Sequence, residues 1–340
     1  MMLHPMLSRY LKCISACLIG AGAHAFAQAQ PQPQAAASDP AAILQRISNA
    51  ARELSYAGVF VHSIAENSNA SRITHISSHG EEWEKIESLD GPAREIIRRN
   101  EEMYCYQPDS KTMRLDRRIS GKFFPALLNG TPQSIMESYR VRVGSTERIS
   151  GHDCQWVILE PKDALRFLQN LCAEIGSGLL VRAKMLNNRN QVIEQFTFTE
   201  LRLGKDATRD FGRSHFKSRL QEKQNGWQTD DSAQRELKNT DTGWVVTSPP
   251  AGFKKIMEMK RTLAGKTQPV SHLVFSDGLA SISVFVEPIQ NGAKGLSNGA
   301  EDGMYSYALR PVGDHQVTVL GEVPIGTAQM LANGVLPKSR

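Results

Sequence analysis

Leu179-Leu180-Val181-Arg182-Ala183-Lys184-Met185-Leu186, the turn Asn187-Asn188-Arg189-Asn190, and the run from Val192 to Leu203 decide the fold. In an extended chain successive side chains point to opposite faces, so Val181, Ala183 and Met185 share one face and Arg182 and Lys184 the other. The asparagine cluster supplies turn chemistry between the two runs, so they read as an antiparallel hairpin with one apolar face. Upstream, Gly176-Ser177-Gly178 is a second turn, and Cys154 to Glu160 is a more buried strand, apolar almost throughout. Tyr139-Arg140-Val141-Arg142-Val143 alternates strictly, with two arginines opposite Tyr139, Val141 and Val143. These segments form an antiparallel meander that needs helices over its apolar face.

A helix opens the globular part. Ser38 or Asp39 can cap it, Pro40 suits its first turn, and Ile43, Leu44, Ile47, Ala50, Ala51 and Leu54 recur on one side. Strands are expected at Ala57–Ser63, Arg72–Ser78, Glu82–Leu89 and Glu95–Ile97, with a polar turn at Glu66–Ser71 and short helices at Lys122–Asn129 and Pro132–Ser138. From Gly204 to Thr242 polar and charged residues dominate, as in a linker. Strand character returns at Trp244-Val245-Val246, Ser271–Phe275, Gly278–Glu287, Tyr305–Leu309 and His315–Gly321, with Asp277-Gly278 as a hairpin signal and a short helix near Thr327–Ala332. The fold class is α+β. An N-terminal antiparallel half-barrel covered by helices (39–204) is followed by a linker (205–242) and a smaller antiparallel α+β domain (243–335).

The chain has 340 residues, 40% hydrophobic and 22% charged, which excludes wholesale disorder and allows two cores. Arg9 and Lys12, the small apolar run Cys13–Ala25 and Ala25-Phe26-Ala27 read as a secretory signal over residues 1–27. A lipoprotein-like box at Ile14-Ser15-Ala16-Cys17 leaves too short an apolar region after Lys12. Residues 28–38, rich in Ala, Gln and Pro, are a flexible leader. Cleavage removes Arg9 and Lys12 and brings the formal charge from +5 to +3, too weakly basic for nucleic acid. The mature chain is expected to be soluble in the periplasm with no transmembrane segment. Three cysteines remain; Cys105 and Cys154, each in a strand-like run, are the expected disulfide pair, and Cys172 reads as a small buried hydrophobe.

Chemistry-bearing motifs are missing. The sequence has no G-x-S-x-G elbow, phosphate-binding G-x-x-x-x-G-K or Cys-x-x-Cys. His75 and His79 have helical spacing within a strand pattern, which would hold them about 13 Å apart, so they read as solvated strand histidines rather than metal ligands. No catalytic residue, metal or cofactor is expected. Two binding features stand out. Val59, Val61, Tyr139, Val141, Val181, Met185, Phe196 and Phe198 would line a lipid-sized cavity in a curved sheet, or equally fill a packed core. Arg114, Arg117, Arg118, Arg140, Arg142, Arg182 and Lys184 are an anion-binding surface for an acidic peptide or lipid phosphate, or an ordinary polar exterior.

Several segments together resemble the RseB/MucB family of sigma-E regulatory proteins. They are Leu54–Val61, Glu84–Glu95, Tyr139-Arg140-Val141 with Gly151-His152-Asp153-Cys154, Ser177-Gly178-Leu179-Leu180, and Val192-Ile193-Glu194-Gln195-Phe196. The resemblance covers about 40–335. It implies an N-terminal domain like the lipoprotein carriers LolA and LolB and a smaller C-terminal domain. It also implies a non-enzymatic regulator that binds the periplasmic domain of an anti-sigma factor, RseA or MucA, and shields it from regulated proteolysis until lipopolysaccharide or mislocalised lipoprotein releases it. The same half-barrel would suit a periplasmic lipid or lipoprotein carrier, although carriers of that kind usually lack a second domain. Homodimerisation is left open.

Overall fold

The computed structural model describes residues 39–338 except 101, 118–122, 209–215, 217–225, 231–236, 239, 263–267 and 290–293. The expected signal and leader, residues 1–38, lie outside the described residues. Asp39–Arg340 forms one compact unit.

Helix α1 (Pro40–Glu53) is capped by Asp39, whose Oδ1 accepts the Ala41 N–H at 3.0 Å, and it buries Leu44, Ile47, Ala50 and Ala51. Strands β1 (Tyr56–Ile64), β2 (Asn67–Ser78), β3 (Glu81–Ser88), β4 (Glu95–Arg99), β5 (Glu102–Gln107) and β6 (Thr112–Arg117) follow. After α2 (Pro132–Ser138) come β7 (Tyr139–Ile149), β8 (His152–Pro161), β9 (Leu168–Glu174), β10 (Leu180–Leu186), β11 (Val192–Leu203), the single turn α3 (Lys205–Thr208) and β12 (Gln228–Asp230). They make a 12-stranded sheet in the order β12-β6-β5-β4-β3-β2-β1-β11-β10-β9-β8-β7. Two meanders thus run outward from a central β1–β11 pair. The β7–β8 turn returns to the sheet, where Ser150 Oγ donates to the Phe198 carbonyl and His152 Nε2 lies 3.2 Å from the Leu201 carbonyl. That return is what curls the sheet into a half-barrel. A register shift between Val59 and Phe60 needs Gly58, because a Cβ there would fall 2.1 Å from the Glu200 carbonyl oxygen.

Two local expectations change. Lys122–Asn129 is not a helix: Phe123 and Ala126 form an isolated bridge around Pro125, which has no N–H to continue a helix, and Phe124, Leu127 and Leu128 are buried. The polar Glu66–Ser71 is mostly strand, because the turn is completed by Ala65, which adopts a positive φ, and Glu66.

The disulfide is Cys154–Cys172, not the expected Cys105–Cys154. Cys105 on β5 is seven strands from β8 in the sheet order, eight steps of about 4.8 Å. Cys172 lies on β9, next to β8, and its Cα is 5.4 Å from that of Cys154. The run around Cys172 is itself a strand, which the sequence pattern had not suggested. Cys105 is a free, half-buried thiol.

The second sheet, of seven strands, contains β13 (Leu237–Lys238), β15 (Lys254–Arg261), β16 (Val270–Ser276), β17 (Ser281–Pro288), β20 (His315–Gly321), β19 (Tyr305–Val312) and β18 (Asn298–Asp302), in that order. Helix α4 (Ile325–Gly334) packs on one face, and β14 (Trp244–Val246) pairs with β21 (Val335–Pro337). Strand β15, Lys-Lys-Ile-Met-Glu-Met-Lys-Arg, was not expected, because its charges mask a strand that β16 holds by pairing.

In the polar 205–242 stretch, Phe216 is 1% exposed and lies 5.9 Å from Trp83, while Trp227 meets Tyr106 edge-on at 5.3 Å. With Ile76, Ile97 and Met113 these rings form a second, smaller core. A polar composition therefore carries two aromatic anchors onto the first sheet.

Candidate functional site

The interior of the half-barrel is aromatic. Phe124 stacks on Phe196 at 5.2 Å, and Phe60 and Phe198 pack obliquely on Phe124 at 5.5 and 5.0 Å. Of the expected lining residues, Tyr139, Val181 and Phe198 are buried in this core, with Val141 and Phe196 at its edge. Met185 belongs to a separate cluster with Phe167 and Met304. Val59 and Val61 are not in the core; the bulged strand gives the inward places to Tyr56 and Phe60, and Val59 borders a polar cleft with Arg72, Lys85 and Arg202. The interior is thus largely packed rather than lipid-sized. A cavity of about 120 Å³ remains, lined on its apolar side by Leu127, Leu171, Ala183, Phe196, Leu279 and Met304.

Its polar side is built by His62, Lys184, Glu194, Tyr305 and Glu322. His62 stacks on Phe196 at 4.0 Å and its Nε2 lies 2.8 Å from Glu194 Oε1. Burial, then the charges of Glu322 and Glu194, push the Tyr305 hydroxyl above its ordinary range. The cavity therefore joins an apolar wall to a mouth rich in hydrogen-bonding and charged groups, a combination suited to an amphiphile.

One wall comes from the second sheet. The β16–β17 turn, Asp277-Gly278-Leu279, reaches the first core, where Leu279 is 3% exposed. The Asn129 and Gly130 amides both donate to the Gly278 carbonyl, at 2.9 and 3.1 Å. A Cβ on Gly278, which has φ +96°, would meet the Gly130 Cα at 2.8 Å. Asp277 Oδ1 accepts the Leu279 and Ala280 amides and so shapes the turn.

Beneath the turn lies Arg166, 2% exposed, whose Nε is 3.0 Å from Asp277 Oδ2 and whose Nη1 is 3.1 Å from Asp163 Oδ2. Its Nη2 donates to the Ala251 carbonyl, and its guanidinium lies over Tyr139 at 5.6 Å and Phe253 at 5.1 Å. Burial, then the Asp277 charge, holds the Tyr139 phenol well above its ordinary range. Sequence reading missed Arg166, Asp277 and Leu279 as a unit. Asp277-Gly278 was legible as a turn, but no local pattern marks an arginine that meets it from far along the chain.

The expected basic surface divides. Arg140 and Arg142 lie 3.8 and 2.6 Å from Glu160, Arg182 lies 2.8 Å from Glu147, and Lys184 sits 5.3 Å over the Trp156 ring. The bond from Arg142 lowers the Glu160 carboxyl below its usual range. These four share the β7–β10 region, but acidic and aromatic partners compensate them. Arg114 and Arg117 are on β6, at the other end of the strand order; the side chain of Arg117 and all of Arg118 lie outside the described residues. His75 is not solvated but fully buried: Nδ1 is 2.7 Å from the Leu54 carbonyl and Nε2 is 3.0 Å from Glu82. His79 sits apart, in the exposed turn after β2. Among the described residues no three His, Cys, Asp or Glu side chains are grouped as metal ligands, and no helix is long and apolar enough to cross a membrane.

Comparison with known proteins gives two family matches: the MucB/RseB N-terminal domain over residues 39–220 and the MucB/RseB C-terminal domain over 238–336. The chain is 26% identical over 307 residues to the sigma factor AlgU regulatory protein MucB of Pseudomonas aeruginosa, spanning 89% of this chain and 92% of that one. It is 24% identical over 297 residues to the sigma-E factor regulatory protein RseB of Haemophilus influenzae, spanning 86% and 89%. Its fold is similar to a chain in the P. aeruginosa MucA/MucB complex, with a TM-score of 0.68, 24% identity, and coverage of 89% of this chain and 100% of that one.

Proposed function

Since this chain belongs to the MucB/RseB family, we propose that it is a periplasmic negative regulator of a sigma-E-type stress response, acting by binding the periplasmic region of an anti-sigma factor. The observation that carries the reading is the match of both family domains, in order, along nearly all of residues 39–336. The regulatory role named for the P. aeruginosa and H. influenzae relatives and the solved MucA/MucB complex support it. In this reading the bound anti-sigma segment is shielded from regulated proteolysis, and lipopolysaccharide or mislocalised lipoprotein releases it. The signal-like residues 1–27 support export. The protein works as a binding module rather than an enzyme.

A lipid or lipoprotein carrier is less well supported, because the half-barrel interior is filled by Phe60, Phe124, Phe196 and Phe198 and walled by Leu279. The deciding experiment is surface plasmon resonance of the mature chain over an immobilised periplasmic segment of the anti-sigma factor encoded beside it. Saturable binding is expected; absence of binding overturns the reading.

A further inference from the structure

We infer that the β16–β17 tip, Asp277-Gly278-Leu279, is a removable plug in the half-barrel, and that the acyl chain of a single-chain amphiphile binds by taking the place of Leu279. The inference rests on the regulator reading and adds the site and occupant of its release step.

Leu279 stands out by origin. Every other buried member of the half-barrel core lies between Leu44 and Leu201, and Leu279 alone comes from the second sheet. Its neighbours at the cavity are apolar (Leu127, Leu171, Ala183 and Phe196), so an apolar group must replace it when it leaves. The remaining cavity, about 120 Å³, is well below the roughly 300 Å³ of a typical small-molecule site. An acyl chain therefore cannot simply be added beside the plug. The polar groups at the mouth, Lys184, His62 and Tyr305, suit the head of an amphiphile rather than a wholly apolar molecule.

The attachment is suited to release. Two amide bonds to one carbonyl hold the backbone of the tip. The side-chain anchor is the buried Arg166–Asp277 pair, whose attraction is largely offset by the desolvation of both charges. The Gly130–Gly278 approach leaves no space for partial displacement, because a single Cβ would already collide. The tip is therefore seated or withdrawn, and withdrawal carries β16 and β17 with it. An amphiphile that binds only the withdrawn state shifts the protein toward that state by mass action.

The test uses the mature chain and sodium laurate, with laurate affinity read by displacement of 1-N-phenylnaphthylamine and plug seating read by amide exchange at Asn129 and Gly130. Saturating laurate should accelerate exchange at both amides in the wild type. Leu279→Ala should bind laurate about tenfold or more tightly, since the competing apolar side chain is shortened. Asp277→Asn keeps the turn's acceptor for Leu279 and Ala280, drops the charge facing Arg166, and should also tighten laurate binding, so the test does not depend on one variant folding. Equal laurate affinity in all three proteins, protected Asn129 and Gly130 amides at laurate saturation, or no laurate uptake overturns the proposal. These readouts use no anti-sigma segment, so failure of the regulator reading shows separately as absent binding by the unliganded wild type.

Discussion

Breaking Cys154–Cys172 should weaken the first sheet by an amount that its loop fixes. The bridge closes a loop of sequence separation 18, for which the chain-entropy treatment gives about 3 kcal/mol at 25 °C. The loop contains the crossing from β8 to β9 and Arg166, so the freed segment is one that the Asp277 contact also needs. For a unit of this length the loss corresponds to a fall in Tm on the order of 5 °C. The assay is calorimetry of the oxidised protein against the Cys154→Ala/Cys172→Ala double variant, with Cys105→Ser as control. The double variant should melt lower and the control should not. Alkylation of the unreduced, denatured protein, followed by peptide mass spectrometry, should label Cys105 alone. Labelling of Cys154 or Cys172 with Cys105 protected, or an unchanged Tm in the double variant, would refute the pairing and the strand order behind it.

Three further outcomes follow from buried charges. Burial opposes ionisation of Glu82, but hydrogen bonds from His75 and Arg98 outweigh it and lower its pKa from 4.5 to about 2. The unfolded state thus binds the proton first; the stabilisation is complete above pH 4.5 and is lost as pH falls toward 2. With Glu82 mostly shielded, Glu82→Gln should cost about 2–3 kcal/mol at pH 7 and flatten the acid limb of urea-midpoint titrations; an unaltered limb would rule this out. Arg166→Ala leaves Asp277 buried without its partner and should cost about 3–5 kcal/mol, whereas Arg166→Met/Asp277→Leu should cost less than Arg166→Ala alone. Additive losses in that urea-denaturation cycle would contradict the coupling. Burial, then Arg261, lowers the His272 pKa from 6.5 to about 4, so the unfolded state takes up this proton first and the contribution present above pH 6.5 is lost between 6.5 and 4. His272→Phe should remove that loss, and an identical pH dependence between 6.5 and 4 in the two proteins would count against it.

The half-barrel was legible where alternation was clean. Tyr139–Val143, Leu179–Leu186 and Val192–Leu203 each carried their buried face in the residue types themselves, and Asn187–Asn190 and Asp277-Gly278 declared their turns. Legibility failed where sheet order mattered, because adjacency is a long-range property. Cys105 and Cys154 each sit in strand-like runs, but only the β1–β11 pairing at the centre of the sheet reveals how far apart β5 and β8 are. It failed again where pattern and burial part company. Val59 and Val61 look like core residues, but the bulge beside Gly58 gives the interior to Phe60. The polar 205–242 stretch reads as a spacer because its two anchors, Phe216 and Trp227, are single aromatics without a period. The basic residues were legible as charges but not as partners of Glu147 and Glu160, which pair with them across strands.

Arg166 links these observations to regulation. Its guanidinium touches Asp163 of its own sheet, Asp277 of the β16–β17 turn and the Ala251 carbonyl before β15, while the neighbouring Leu165 carbonyl accepts the Thr327 hydroxyl from α4. The joint is therefore one cooperative contact between the sheets, and loosening one bond weakens the seating of the others. A ligand in the half-barrel can alter affinity for a partner only if it stabilises an arrangement of the sheets that the partner binds less well. A partner resting on one sheet alone would not feel a withdrawn plug. A partner spanning both would lose half of its surface in register when Asp277 and Leu279 leave, although no residue touching it had changed. A release signal acting through this joint therefore requires that the anti-sigma segment engage both sheets at once.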